Sequence, residues 1–246
     1  MVSTPVGEKE VAVELGENET LEDLMIGGYK IVQNKNLYRF SSDSVLLSRF
    51  ASGRKGDVVA DLCAGSGIVG LHFFALNEKT TLSVDFFELQ QELSTLCQRT
   101  IEYNGFSDKM RCFCGRAQDA GKELNGKYSL VLCNPPYQKK GGGIRNPESS
   151  IALCRHEIAI TLDEILATAS RLLGFGGRLC ICHRAERLCD LLCGMREHGL
   201  EPCTLRFVYA GSKEEPYLVL AEGRKGKSPA FRILPPLRNS ATETVV

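Results

Sequence analysis

The feature that most constrains this chain is a change of pattern at Asp57. From there on, short apolar runs alternate with segments whose apolar residues recur at helical spacing. Val58-Val59-Ala60 reads as a buried strand ending at Asp61, and Val69, Leu71, Phe73 and Phe74 belong to a helix after Gly67. Leu82 to Phe87 is the next strand. Leu89 to Tyr103 is a helix with Leu93, Leu96 and Ile101 on its apolar side. Strands are expected at Arg111 to Cys114 and Tyr128 to Cys133, then a helix over Leu162 to Leu173 that ends at Gly174. A strand at Gly177 to Cys182, a helix at Ala185 to His198, and a strand pair at Thr204 to Tyr209 and Pro216 to Ala221 complete the series. Parallel strands need a long crossover, which a helix supplies, so the alternation implies a mostly parallel sheet covered on both faces. The closing pair, joined by Gly211-Ser212 with no helix between, implies an antiparallel last strand. The expected class is α/β.

Three regions follow. Residues 1–20 are polar and form an expected flexible lead-in. Residues 21–53 hold a hairpin over Leu24 to Val32, turning at Gly27-Gly28, and a helix entered at Ser41-Ser42-Asp43. Residues 54–246 form the α/β domain, interrupted by a loop rich in Gly and Lys from Gln138 to Ser150.

Composition excludes more than it selects. No apolar run approaches the roughly 20 residues that span a bilayer, and the N-terminus lacks a basic-then-apolar leader, so a cytoplasmic protein without a membrane role is expected. Eleven cysteines show no zinc-knuckle spacing, and His72, His156, His183 and His198 are scattered, so no metal is expected. Cysteine is read instead as a small buried hydrophobe, with Cys112 and Cys114, like Cys180 and Cys182, pointing in pairs to one face of a strand. Formal net charge is zero, so no global basic field announces nucleic acid. Basic residues do cluster: Lys139, Lys140 and Arg145 in one loop, and Arg224, Lys225, Lys227, Arg232 and Arg238 near the C-terminus. Such patches bind phosphates even where total charge balances.

The chemistry concentrates at the ends of successive strands. Asp61-Leu62-Cys63-Ala64-Gly65-Ser66-Gly67 follows a strand and opens a helix, and its glycines let the backbone approach a ligand where a Cβ would clash. Glu88 closes the second strand, where such folds place a carboxylate against ribose hydroxyls; Asp85, inside the strand, is the lesser alternative. Asp119 follows the third strand, positioned to accept from an adenine amino group. Asn134-Pro135-Pro136-Tyr137 follows the fourth. An amino nitrogen conjugated to a ring is a poor nucleophile until it is held tetrahedral. The Asn134 side-chain carbonyl and the Pro135 carbonyl would accept its two hydrogens, the prolines fix φ, and the Tyr137 ring offers a stacking face.

Together these motifs resemble class I S-adenosylmethionine-dependent methyltransferases of the amino-methylating branch, over about Tyr38 to Ala221. A narrower resemblance is to bacterial tRNA adenine-N6 methyltransferases acting on valine tRNA. It rests on Arg39-Phe40-Ser41-x-Asp43, Arg155-His156-Glu157 and the run from Leu218 to Gly226. The family implies a Rossmann-like sheet of seven strands with the last antiparallel, S-adenosylmethionine as methyl donor, and the adenine beside the anticodon as target. On this reading Arg39 and Phe40 close over the methionine end of the cofactor, while Asp61, Gly65 and Gly67 meet it through the turn. Glu88 holds the ribose and Asp119 the adenine, with Asn134 reaching both cofactor and target. Lys139, Lys140, Arg145, Arg155, His156, Arg224, Lys225 and Lys227 would contact RNA. Oligomeric state is open, with a monomer as the simpler expectation. N5-methylation of a protein glutamine uses the same motif, but that family usually carries a helical domain ahead of the cofactor domain. Methylation of rRNA or DNA amino groups, a non-catalytic binding module, and an NAD-dependent oxidoreductase are the remaining alternatives. The last is weakest, because the spacing after Asp61 is not G-x-G-x-x-G.

Overall fold

The computed structural model describes residues 13–136 and 160–239. Its centre is a nine-stranded sheet that begins with β3 (Asp57–Leu62), β4 (Thr81–Glu88), β5 (Met110–Cys114), β6 (Tyr128–Cys133) and β7 (Leu173–Arg184). β8 (Leu200–Ala210), β9 (Pro216–Lys225), β10 (Arg232–Ile233) and β11 (Leu237–Asn239) complete it. The spatial order is β5-β4-β3-β6-β7-β9-β8, with β10 and β11 both on the outer edge of β8. Every pairing is parallel except those of β9, which enters antiparallel between β7 and β8. The seven strands β3 to β9, with β9 reversed, match the sheet expected from the resemblance. β10 and β11 were not expected; they occupy the backbone groups of β8 that would otherwise template pairing with another chain.

Side chains alternate across the sheet with period two, which splits the core into two layers. Val59, Val84, Leu130, Leu132, Cys180, Cys182 and Leu218 face α1 (Ser42–Phe50), α2 (Ile68–Asn77) and α3 (Gln91–Tyr103). Ala60, Leu62, Val131, Cys133, Leu179, Ile181 and Val219 face α4 (Leu162–Leu172) and α5 (Leu188–Glu197). α4 starts at a capping box, Thr161 accepting from the Glu164 backbone while the Glu164 carboxylate takes the Thr161 N–H.

Three expectations change, two about boundaries and one about burial. The N-terminal hairpin turns at Gly27-Gly28 as expected, but its strands are β1 (Glu19–Asp23) and β2 (Lys30–Asn34), so β1 begins inside the stretch read as lead-in. Thr20 and Glu22 of that short strand bond each other, a polar outer face that carries no hydrophobic signal. The second change is at α4, which passes directly into β7 at Leu173, without a break at Gly174. There β7 bulges against β6, the register jumping from Tyr128–Leu173 to Leu130–Arg178. A Cβ at Gly174 would sit 2.9 Å from the Gly126 carbonyl, so this glycine serves close backbone approach. The third change concerns cysteine. Cys97, Cys133, Cys180, Cys182 and Cys203 are buried, as expected, but Cys114, Cys189 and Cys193 are exposed. Cys114 ends edge strand β5, and Cys189 and Cys193 lie one helical turn apart on the outer side of α5.

At the N-terminal ends of the parallel strands, Arg178 and Asp57 form a fully buried two-pronged pair, Nη2–Oδ2 2.6 Å and Nη1–Oδ1 3.1 Å. Arg178 also donates to the Ser52 carbonyl at 2.6 Å, and Asp57 accepts from Ser129 Oγ at 2.7 Å. This bolt ties α1's end, β3, β6 and β7 together. The C-terminal ends of the same strands carry the site.

Candidate active site

Leaving β3, the chain passes through three left-handed residues: Cys63 (φ 57°), Gly65 (φ 59°) and Gly67 (φ 93°), which caps α2. A Cβ at Gly67 would stand 2.8 Å from Cys97 Sγ, so space as well as φ demands glycine there. At Gly65 the Cβ direction meets nothing within 4 Å. Cys63 holds a left-handed conformation with a side chain, the kind of local strain that accumulates at binding sites. Glu88 supports the turn from the end of β4: its Oε2 accepts from Gly65 N at 2.8 Å and its Oε1 from Gln90 N at 2.8 Å. Burial pushes the Glu88 carboxyl above its usual range against the pull of those backbone bonds.

Asp61 is wholly buried beneath the turn. Its Oδ2 accepts from Gly70 N at 2.8 Å, whereas Oδ1 has no hydrogen-bond partner among the described residues. Burial, reinforced by repulsion from Glu88 and only partly offset by the Gly70 bond, pushes the Asp61 carboxyl up to about 8. An orphaned carboxylate oxygen and a nearby second acid make a site that gains from a cation. Those two acids, with the open side of Gly65, fit a donor that carries a positive sulfonium and an amino group.

A shallow cleft opens above the turn, walled by Tyr38, Phe40, Ser44, Cys63, Gly65 and Asn134 among others. The hairpin reaches it through Gln33, whose side chain is 1% exposed. Gln33 Nε2 donates to Ser66 Oγ inside the Gly turn, and its Oε1 accepts from Phe40 N at 3.4 Å. Sequence reasoning missed Gln33, because its partner Ser66 lies 33 residues further along the chain and nothing local marks the pairing. Phe40 lines the cleft, and Arg39 pairs with Glu22 of β1.

Asn134 follows the end of β6 and lines the cleft, and the buried Pro135 and Pro136 come after it. Its Nδ2 donates to Ser44 Oγ at 2.9 Å, and Cys182 Sγ donates to its Oδ1 at 3.0 Å. The structure thus brings together Phe40, Asp61, Gly65, Gly67, Glu88 and Asn134.

Other sequence candidates stand elsewhere. Asp119 ends a 3-10 turn after β5 with its side chain 75% exposed, 3.9 Å from Arg116 Nε. Asp85, the alternative to Glu88, is committed to the sheet, accepting from Tyr128 OH at 2.7 Å, Lys127 Nζ at 3.2 Å and Arg111 Nη2 at 3.0 Å. Arg224 and Lys225 lie at the end of the sheet away from Asn134, because antiparallel β9 ends beside the start of β7, Arg224 opposite Arg178. Arg224 pairs with Glu222, and Lys225 Nζ caps the end of α4 by donating to the Ser170 and Leu173 carbonyls at 2.6 and 2.7 Å. Lys227 packs its stem near Gly176 at that same end. Lys139, Lys140 and Arg145, whose phosphate-binding surface these three are expected to extend, fall outside the described residues. Tyr137, Lys139, Lys140, Arg145, Arg155 and His156 lie outside the described residues. Among the described residues no cluster of His, Cys, Asp or Glu is placed to hold a metal, and no helix is long and apolar enough to cross a membrane.

Known proteins resemble this chain in sequence and in fold. A protein of Parabacteroides distasonis named tRNA1(Val) (adenine(37)-N6)-methyltransferase is 23% identical over 174 residues, 71% of each chain. One of the same name from Aeromonas salmonicida is 23% identical over 197 residues, covering 80% of this chain and 81% of its own. Another from a Shewanella species is 27% identical over 142 residues, and there the match spans only 56% of each chain. Among solved structures, a predicted O-methyltransferase of Agrobacterium tumefaciens superposes with TM-score 0.61 at 20% identity, covering 80% of this chain and 88% of that one. TYW2 of Pyrococcus horikoshii, in complex with MeSAdo, gives TM-score 0.59 at 13% identity over 86% and 73%. These likenesses carry the fold. The model of the methyltransferase small domain matches residues 41–191, a span that holds α1, the Gly turn, Glu88 and Asn134. The chain belongs to the methyltransferase small domain family.

Proposed function

We propose that this protein transfers a methyl group from S-adenosylmethionine to the exocyclic N6 of an adenine in tRNA, near the anticodon. The observation that carries the reading is the Asn134 amide, fixed at the end of β6 and forming one wall of the cleft above the Gly turn. The shared name of the relatives supplies the acceptor. When bound, the donor supplies a methyl group activated by a positive sulfonium. Glu88, at the end of β4 and bonded to Gly65 N, would hold the donor's ribose, Asp61 would supply a negative group beneath the turn, and the backbone of Gly65 and Gly67 would admit the ligand to close range. Tyr38 and Phe40 line the cleft beside the turn and would shield the reacting atoms. Asn134 Oδ1 and the Pro135 carbonyl would accept hydrogen bonds from the two N–H groups of the target amino nitrogen, aiming its lone pair at the methyl carbon. As the N–C bond forms the donor's S–CH3 bond would break, leaving S-adenosylhomocysteine, and one N6 proton would then pass to solvent.

A stacked adenine cannot reach such a cleft, so the base must be splayed out of its loop. Tyr137 would stack on it, and Lys139, Lys140, Arg145, Arg155 and His156 would grip neighbouring phosphates; these roles rest on sequence alone. Asp119 retains a role only toward the rim of the donor adenine. The reading fits a cytoplasmic enzyme.

The test is transfer of a labelled methyl group to unmodified tRNA, rRNA and a protein extract offered side by side. Label in tRNA recovered as N6-methyladenosine is the expected result. Label in protein alone would overturn the acceptor in favour of glutamine amide methylation.

A further inference from the structure

We infer that Ser44 and Cys182 are positioning residues that hold the Asn134 amide in its productive orientation, and that strand β11 steadies the turn from which Ser44 acts. The inference rests on the proposed amino-methyl transfer and assigns two residues that the motif does not contain.

The two ends of a carboxamide have nearly the same shape and opposite chemistry. Turned over, Asn134 would present an NH2 group to the target NH2 group, donor against donor, and the lone pair would lose its aim. Two contacts oppose that reversal. Cys182 is fully buried on β7, one residue past the Cys133–Ile181 pairing, and its thiol donates to Oδ1 at 3.0 Å. A thiol is a poor acceptor, so it meets a carbonyl better than an amide N–H. Ser44, buried in the first turn of α1, accepts from Nδ2 at 2.9 Å.

The first turn of α1 needs an outside anchor to serve this role. Its N-cap, Ser41, makes no side-chain capping bond. The anchor comes from the other end of the chain. Asn239 of β11 donates through Nδ2 to Ser42 Oγ at 2.8 Å and to Tyr217 OH at 3.0 Å. Tyr217 OH in turn donates to Asp43 Oδ1 at 2.9 Å. Ser42, Asp43 and Ser44 are thus each tied to a different part of the fold, and β11 has a use beyond covering the β8 edge.

The experiment measures single-turnover methyl transfer to tRNA, together with S-adenosylhomocysteine affinity and thermal midpoint, for Cys182→Ala, Cys182→Ser, Ser44→Ala, Asn239→Ala and Asn134→Ala. Misplacing a reacting group by a fraction of an ångström costs up to about 100-fold, and a lost hydrogen bond about tenfold or less. Cys182→Ala and Ser44→Ala are expected to slow transfer about tenfold with product affinity within about twofold of wild type. Cys182→Ser restores most of the rate because its hydroxyl donates to Oδ1, and Asn239→Ala slows transfer about threefold. Equal rates for Cys182→Ala and Cys182→Ser, together with a wild-type rate for Ser44→Ala, would overturn the positioning role. If Cys182→Ala fails to fold, Ser44→Ala decides alone. Wild-type transfer by Asn134→Ala would instead overturn the amino-transfer reading on which the inference stands.

Discussion

Asp57 and Asp61 begin and nearly end one strand, β3, and both are buried, at 2% and 0% exposure. The fold treats them in opposite ways. Burial alone would raise the Asp57 carboxyl, but bonds from Arg178, Ser129 and the Arg54 N–H outweigh it and hold the group below its usual range. Asp61 receives one backbone bond and faces Glu88, and burial leaves it high. The Asp57 carboxylate has partners on both oxygens, and the Asp61 carboxylate is left short of a positive charge. The comparison separates two uses of a buried carboxylate: Asp57 is architecture, and Asp61 awaits a ligand.

The contrast can be broken from either side. The largest effect is expected at Asp57. Arg178→Met leaves Asp57 buried without its partner and should cost about 3–5 kcal/mol of unfolding free energy, read by urea denaturation. The Asp57 contribution is present above the unfolded carboxylate pKa and is lost as pH falls through its lower folded value. Over that acid range the loss from Arg178→Met should therefore shrink.

At Asp61 the sign reverses. Asp61 has a raised folded pKa, so the folded state binds the extra proton between about pH 4 and 8 and ligand-free stability falls as pH climbs through that window. Asp61→Asn should raise the thermal stability of the ligand-free protein at pH 8, by on the order of 2 kcal/mol, with the gain vanishing toward pH 4. The same variant should bind S-adenosylmethionine at least about tenfold more weakly, seen by calorimetry. A variant less stable than wild type at pH 8 would show that Asp61 is satisfied as it stands.

The smallest effect is expected at the hairpin. Gln33→Ala removes the bond to Ser66 and the weaker one from Phe40 N, and should lower stability by about 1–2 kcal/mol and donor affinity about fivefold. Unchanged affinity would mean that the hairpin packs on the turn without shaping it.

Much of this was legible in the residues. The boundaries of β6 and the strand that precedes the Gly turn follow from apolar runs bounded by turn residues, and Asn134-Pro135-Pro136 marks its own strand end. What escaped was whatever depends on the order of strands in space. β9 inserts between β7 and β8, which carries Arg224 and Lys225 to the far end of the sheet, and nothing local in those residues records it. β10 and β11 pair through two or three residues each, too short for any periodicity to show. Gln33, Ser44 and Cys182 escaped for a related reason: each acts on a residue distant in sequence, and a serine, a glutamine or a cysteine in an amphipathic segment carries no local mark of its partner.

The most direct measurement is the single-turnover rate of N6-methyladenosine formation in tRNA by wild type and Asn134→Ala, with S-adenosylhomocysteine affinity measured on both. Loss of the amide clamp should slow transfer at least about 100-fold and leave product affinity within a few-fold. Equal rates from the two proteins would contradict the assignment of Asn134 to the target nitrogen, and with it the proposed chemistry.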